Sequence, residues 1–221
     1  MIIKQLVDED FVNYKKPSMF IGFPTCDWKC ERECGHQGLC QNSELSNAPE
    51  IDVSIDEIVS RYKNNPITSA FVFGGLEPFD SFDDVEELIK TIRVDYSIDD
   101  DIVIYTGYYE SEILEKLYKL VLYKNIIIKY GRYIPGFKSH HDELLGIDLA
   151  SDNQYSKRLI LKVEKGDIYD EVKAKVDSND GYCPCRLDKT PDNKCMCKEF
   201  RTQIKNNIPG MCHCGMYSLE I

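Results

Sequence analysis

An α/β fold, a largely parallel sheet covered by helices and followed by a small cysteine-rich module, is what this 221-residue sequence predicts. Three observations carry the prediction. Short apolar runs alternate with amphipathic helical segments from residue 18 to about residue 163, the pattern changes after residue 165, and the ten cysteines fall into two groups with none between residues 40 and 183.

In chain order, SMFIGF (18–23), AFVFGG (70–75), DIVIYTG (101–107), NIIIKYG (125–131) and RLILKV (158–163) are short runs rich in Ile, Val and aromatics, and they read as buried strands. Between them lie helices. Ser54 with Glu57 forms a capping-box pattern ahead of Ile55, Ile58, Val59 and Tyr62, and Ser81 with Asp84 precedes Val85, Leu88, Ile89 and Ile92 at helical spacing. A third helix runs from about Glu110 through Ile113, Leu114, Leu117 and Val121. After residue 165 a short acidic helix, DIYDEVKAKV, leads to a segment with six cysteines in its last 44 residues, a density at which a small module leans on metal or disulfide staples. The domains expected are therefore 1–165 and 166–221.

Composition narrows the function classes. A hydrophobic content of 43% suits a chain that buries a core, and a net charge of −11 would repel a phosphate backbone, so nucleic acid is not an expected partner. The first residues meet charge at Lys4 and Asp8 and show no apolar leader, and the apolar stretch around LYKLVLYKNIIIKY is broken by three lysines, so no membrane partner is expected either. A cytoplasmic, reducing location is the expectation. There, clustered cysteines bind metal or do redox chemistry.

In α/β folds, ligands sit beyond the carboxyl ends of the strands. That places the cysteine loop after Phe23, the GGLEPF loop after Phe73 and the TGYY segment after Tyr105 at one mouth. A turn-forming role for Gly74, Gly75 and Gly107 is the alternative. Cys26, Cys30, Cys34 and Cys40 form a single run on one loop, whereas structural zinc sites pair close knuckles from separate segments; the spacing favours an iron-sulfur cubane and leaves zinc open.

This loop resembles the cluster loop of radical S-adenosylmethionine (SAM) enzymes, and specifically of the activating proteins of anaerobic ribonucleotide reductase. CDWKC is followed by an insertion and then Cys40-Gln41-Asn42; FGGLEPF resembles the family's Gly-Gly-Glu-Pro loop with Leu76 inserted; YTGYYESEI resembles its Trp-Thr-Gly-Tyr segment; ASDNQYSKR resembles its late Ser-Ser-Asn-Gln-Arg segment. The resemblance implies a partial (β/α) barrel. It implies Cys26, Cys30 and Cys40 as ligands of a [4Fe-4S] cluster, with Leu39 packing on the adenine of SAM, and leaves Cys34 as an alternate ligand or an insertion residue. Gly74 and Gly75 would admit the methionyl end of SAM and Glu77 would accept from its ammonium. The radical made there would be passed to a glycine of the large subunit of an anaerobic ribonucleotide reductase.

The second group holds three C-x-C pairs, Cys183-Pro184-Cys185, Cys195-Met196-Cys197 and Cys212-His213-Cys214. Six thiols exceed the four ligands of one cluster or one zinc; small paired zinc sites or a metallothionein-like sink are the alternatives. GYCPCRL, KCMCKEF and MCHCGMY, in that order, resemble the catalytic chain of ferredoxin-thioredoxin reductase, with Met196 in place of a proline. That resemblance implies a mainly helical iron-sulfur module in which Cys183, Cys195, Cys197 and Cys212 bind a second [4Fe-4S] cluster. Cys185 and Cys214 would form the redox-active disulfide, Cys185 facing outward, with His213 moving protons between them. The two resemblances together describe an oxidoreductase that takes electrons from a ferredoxin or flavodoxin, with a thioredoxin-like protein as a further partner. A disulfide reductase without SAM chemistry and a zinc-stabilised binding module without catalysis are the competing readings.

Overall fold

The computed structural model describes residues 1–35, 38, 40 and 42–221. The chain divides into two compact units, Met1–Leu159 and Ile160–Ile221.

The first unit is built on six strands: β1 (Gln5–Asp10), β2 (Ser18–Phe23), β3 (Ala70–Gly75), β4 (Asp101–Tyr105), β5 (Ile126–Tyr130) and β6 (Tyr155–Arg158). Their order across the sheet is β6-β5-β4-β3-β2-β1. The four central strands are parallel, and β1 and β6 add antiparallel at the edges, so the sheet is mixed and open and does not close into a barrel. Every residue of β3 and β5 is buried, which is why both read as apolar runs, that of β5 interrupted by Lys129.

The two faces of the sheet are covered differently. On one, Tyr62 of helix α2 (Ile55–Asn64), which follows the short α1 (Lys29–Cys34) in the chain, stacks on Phe71 with ring centroids 3.9 Å apart, and its neighbours Ile58 and Val59 are buried with it. The other carries Ala70, Val72, Val103 and Ile127, closed not by a helix but by Tyr14 and by Leu145 and Leu149 of a hairpin (His140–Asp142 with Ile147–Leu149). This thin cover leaves the upper part of that face open.

Several elements depart from the sequence reading. Ser54 caps α2 as expected, accepting from the Glu57 amide at 3.1 Å, but Ser81 does not cap α3 (Phe82–Lys90). A 3-10 turn, Pro78–Ser81, precedes that helix and is capped by Glu77, while the Ser81 hydroxyl bonds Thr25 at 2.6 Å. The predicted third helix starts as a separate turn, Glu110–Glu112, before α4 (Leu114–Leu120). RLILKV is not one strand. Its first residue ends β6, where Lys157 and Arg158 pair with Glu110 and Asp101, and its last two open a strand of the second unit. β1 was missed because an edge strand with one wet face can carry Asp8, Glu9 and Asp10.

The second unit holds β7 (Lys162–Lys165), helices α5 (Tyr169–Ser178) and α6 (Lys198–Lys205), and the strands β8 (Gly210–Met211) and β9 (Tyr217–Glu220). Its order is β7-β9-β8, all antiparallel. Because β7 pairs with β9, the junction falls after Leu159 and not at residue 165. The mainly helical module expected from the sequence thus carries a sheet as well, hidden by short strands that alternate charged and apolar residues. Its core gathers Val172, Val176, Phe200, Cys212, Met216 and Leu219.

Candidate metal centre

Parallel strands deliver their carboxyl ends to one edge, so the loops after β2, β3, β4 and β5 meet there. Two backbone bonds tie the first two loops together, Leu76 N to Phe23 O at 3.3 Å and Glu77 N to Thr25 O at 2.7 Å. Above the loops' floor lies a cavity of about 560 Å³ whose walls include Cys26, Cys30, Cys40, Gly74, Gly75 and Glu77. Its size lies within the range of small-molecule sites.

Glycines make this approach possible. A Cβ on Gly107 would stand 2.8 Å from the Cys30 sulfur, and one on Gly75, which has φ +84°, would stand 2.6 Å from the Gly22 Cα on the neighbouring strand. The Cys26 sulfur accepts from the Trp28 amide at 3.3 Å. Burial pushes the Cys26 thiol up to about 12 and the Cys30 thiol up to about 11, so both need a compensating positive centre to ionise and ligate.

Glu77 is buried, and desolvation raises its carboxyl to about 7. It accepts from Thr106 Oγ1 at 2.8 Å, from the Phe79 amide at 3.1 Å and from the Gly107 amide at 2.9 Å. A carboxylate offers about four acceptor positions, so one is left for a ligand.

Cys34 stands apart. It lines a separate cleft with Glu33, Tyr109 and Arg132, and its sulfur faces the Tyr133 carbonyl at 3.9 Å. Leu39, expected to pack on adenine, lies outside the described residues.

Residues 18–154 match the 4Fe-4S single cluster domain. The chain belongs to that family. No curated protein and no solved structure matches the chain. The segment matched to the 4Fe-4S single cluster domain contains all four cysteines of the first group and none of the second. The donor set of this segment fits such a cluster: three thiols share one cavity wall, and the bare Gly107 leaves space against one of the sulfurs.

In the second unit, Cys183, Cys195, Cys197, Cys212 and Cys214 line one crevice of about 10 Å³ together with Phe200 and the exposed His213. Cys183 and Cys212 are buried, and Cys185 is exposed outside the crevice. The Cys212 sulfur accepts from the Tyr217 amide at 3.2 Å and lies 3.5 Å from that of Cys214, while Cys195 meets the Met216 sulfur at 3.7 Å. Burial pushes the Cys214 thiol up to about 12 and raises that of Cys185 as well.

Two groups at the first centre escaped the sequence reading. Lys129 lines the cavity from inside the apolar run of β5, and the only signal was a lysine in an otherwise buried strand. Arg132 is buried between Glu112, at 2.7 and 2.9 Å, and Glu33, at 2.9 Å, and holds the Glu112 carboxyl down to about 2. Asn153 and Gln154, from the ASDNQYSKR segment that the sequence singled out, fasten the same corner, donating to the carbonyls of Arg132 and Gly131 at 2.8 and 3.2 Å. Among the described residues no helix is long and apolar enough to cross a membrane.

Proposed function

We propose that the first unit is a radical SAM activating enzyme of the partial-barrel type, with a [4Fe-4S] cluster held by Cys26, Cys30 and Cys40. The observation that carries this reading is that these three sulfurs, and not Cys34, line the cavity shared by Gly74, Gly75 and Glu77. Bound there through three thiolates, the cluster would leave one iron open to the amino and carboxylate groups of SAM and supply the electron that splits the sulfonium into methionine and a 5'-deoxyadenosyl radical.

The chain's own residues do the rest. Gly74 and Gly75 present bare backbone to the methionyl end, and Glu77, oriented by Thr106, Phe79 and Gly107, keeps one acceptor position for the ammonium. Phe20 and Tyr105 form apolar wall that keeps water from the radical. The hydrogen atom would come from a glycine of an anaerobic ribonucleotide reductase, leaving 5'-deoxyadenosine.

The second unit is read as a disulfide reductase resembling the catalytic chain of ferredoxin-thioredoxin reductase, with Cys183, Cys195, Cys197 and Cys212 holding a second cluster. The Cys185 thiolate, exposed, attacks a target disulfide and releases one target thiolate. Cys214 then attacks the mixed disulfide, releasing the second thiol and leaving a Cys185–Cys214 disulfide, which two electrons, delivered one at a time from a ferredoxin or flavodoxin, and two protons from solvent would return to thiols. His213, between Cys212 and Cys214, is the proton carrier.

Anaerobic purification with iron and sulfide analysis, then dithionite and SAM with 5'-deoxyadenosine as the product read, tests both halves. About eight irons per chain are expected. Cys40→Ala should abolish 5'-deoxyadenosine and Cys34→Ala should retain it. Zinc without iron refutes the whole reading, and a cluster-replete protein that makes no 5'-deoxyadenosine refutes the SAM half.

A further inference from the structure

We propose that Lys129 sets the reduction potential of the cluster, by holding an uncompensated buried positive charge in the wall of the cavity that Cys26, Cys30 and Cys40 share. The inference rests on those three cysteines holding the cluster and is independent of what small molecule enters beside it.

Lys129 sits at the carboxyl end of β5 with 7% of its surface exposed. Its ammonium lies 5.9 Å from the Tyr105 ring centre and donates to the Gly131 carbonyl at 3.0 Å, an acceptor it shares with the Gln154 amide. Among the described residues no carboxylate stands within 4.0 Å of it. The acid it faces is Glu77, whose oxygens are engaged by Thr106, Phe79 and Gly107.

The contrast with Arg132 isolates its role. Both cations bear on Cys30, but Arg132 is held between the carboxylates of Glu112 and Glu33, so its charge is answered within the loop. Among the described residues Lys129 has no carboxylate within 4.0 Å, and Glu77 faces it only from beyond that distance. Burying a charge without a partner is costly, and burial here pushes the ammonium down to about 8, so the fold retains this lysine against its own stability. A thiolate-ligated cluster in the same cavity supplies the missing negative charge. Reduction adds one more electron to that cluster, and a buried cation, weakly screened by water or salt, favours the reduced form. Nearby charge and solvent exclusion are among the factors that set the potential of such clusters. Lys129 is in this sense a positioning residue for charge and not a ligand.

The test is an anaerobic redox titration with dithionite, followed by electron paramagnetic resonance, on the cluster-loaded full chain at matched iron content. Lys129→Met and Lys129→Gln should each lower the reduced-to-oxidised ratio at the wild-type midpoint about tenfold, a negative shift of ~59 mV for a one-electron couple. Lys129→Arg should restore the wild-type value. Gln154→Glu keeps the lysine but sets a carboxylate beside it, and should shift the midpoint in the same direction even if the neutral variants lose iron.

An unchanged midpoint in Gln154→Glu, or in Lys129→Met and Lys129→Gln at full iron, overturns the proposal. So does a shift in Lys129→Met that Lys129→Gln does not share, since the glutamine can still donate to Gly131. A wild-type chain that takes up no iron overturns the cluster assignment itself, and is told apart by the iron count alone.

Discussion

Gly107→Ala is the sharpest probe of the first centre, because the contact it creates is confined to one atom pair. The added methyl would stand 2.8 Å from the Cys30 sulfur and 3.7 Å from a Glu77 oxygen. The backbone at Gly107 has a φ that alanine accepts, so the strain lies in the contact and not in the chain. Overpacking of this kind costs about 1–3 kcal/mol. If Cys30 moves to relieve it, the cost falls on ligation, and at 1.4 kcal/mol per tenfold the affinity for the cluster drops about 5- to 150-fold. Anaerobic reconstitution with limiting iron and sulfide, reading bound iron per chain and the thermal midpoint of the metal-free protein, separates the two costs. Reduced iron with a nearly unchanged metal-free midpoint is expected. Gly74→Ala serves as control, since its methyl meets the Phe20 ring edge at 3.0 Å, and a ring can turn aside. Wild-type iron uptake by Gly107→Ala would refute the placement of Cys30 against this loop.

Phe200→Ala removes a side chain that is 1% exposed in the core of the second unit and should destabilise that unit by about 3–5 kcal/mol, read from denaturant unfolding. Glu112 is held down to about 2 by Arg132, against about 4.5 in an unfolded chain, so its contribution is complete above pH ~4.5 and is lost as pH falls toward ~2. The stability difference between wild type and Glu112→Gln in the metal-free protein should therefore shrink across that window, and a difference independent of pH would count against the ion pair. Cys185→Ser should abolish exchange with a disulfide target while 5'-deoxyadenosine formation continues; loss of both would mean the two units do not work separately.

The strands of the parallel core were legible because both their faces are buried, which leaves an unbroken apolar run such as Ile126–Ile128. β1 and β7 were not, since an edge or small-sheet strand answers to one face alone and its charged residues imitate a loop. Ser81 misled for a local reason: Glu77, four residues earlier, already caps the chain and frees the serine hydroxyl for Thr25. At the centre, the cysteines and the Gly-Gly-x-Glu loop were visible as residue types at characteristic spacing. Lys129 and the Arg132–Glu112 pair were not, because their meaning lies in burial and in partners 20 residues or more away, which no local pattern records.

The volumes beside the two cysteine groups divide the chemistry open to each. About 560 Å³ adjoins Cys26, Cys30 and Cys40, space for a ligand of tens of atoms. About 10 Å³ lies among the five sulfurs of the second crevice, roughly what a single water occupies. Between these two, the space for a small ligand therefore adjoins the first group. At the second, Cys185 is the exposed thiol, and on the proposed reading it would meet its target through a sulfur–sulfur bond. Charge follows the same division: the first unit, residues 1–159, carries the whole net charge of −11 and the second is neutral. Within so acidic a unit Lys129 is buried with no carboxylate within 4.0 Å among the described residues, and a negatively charged cluster in that cavity would supply the charge that is missing there.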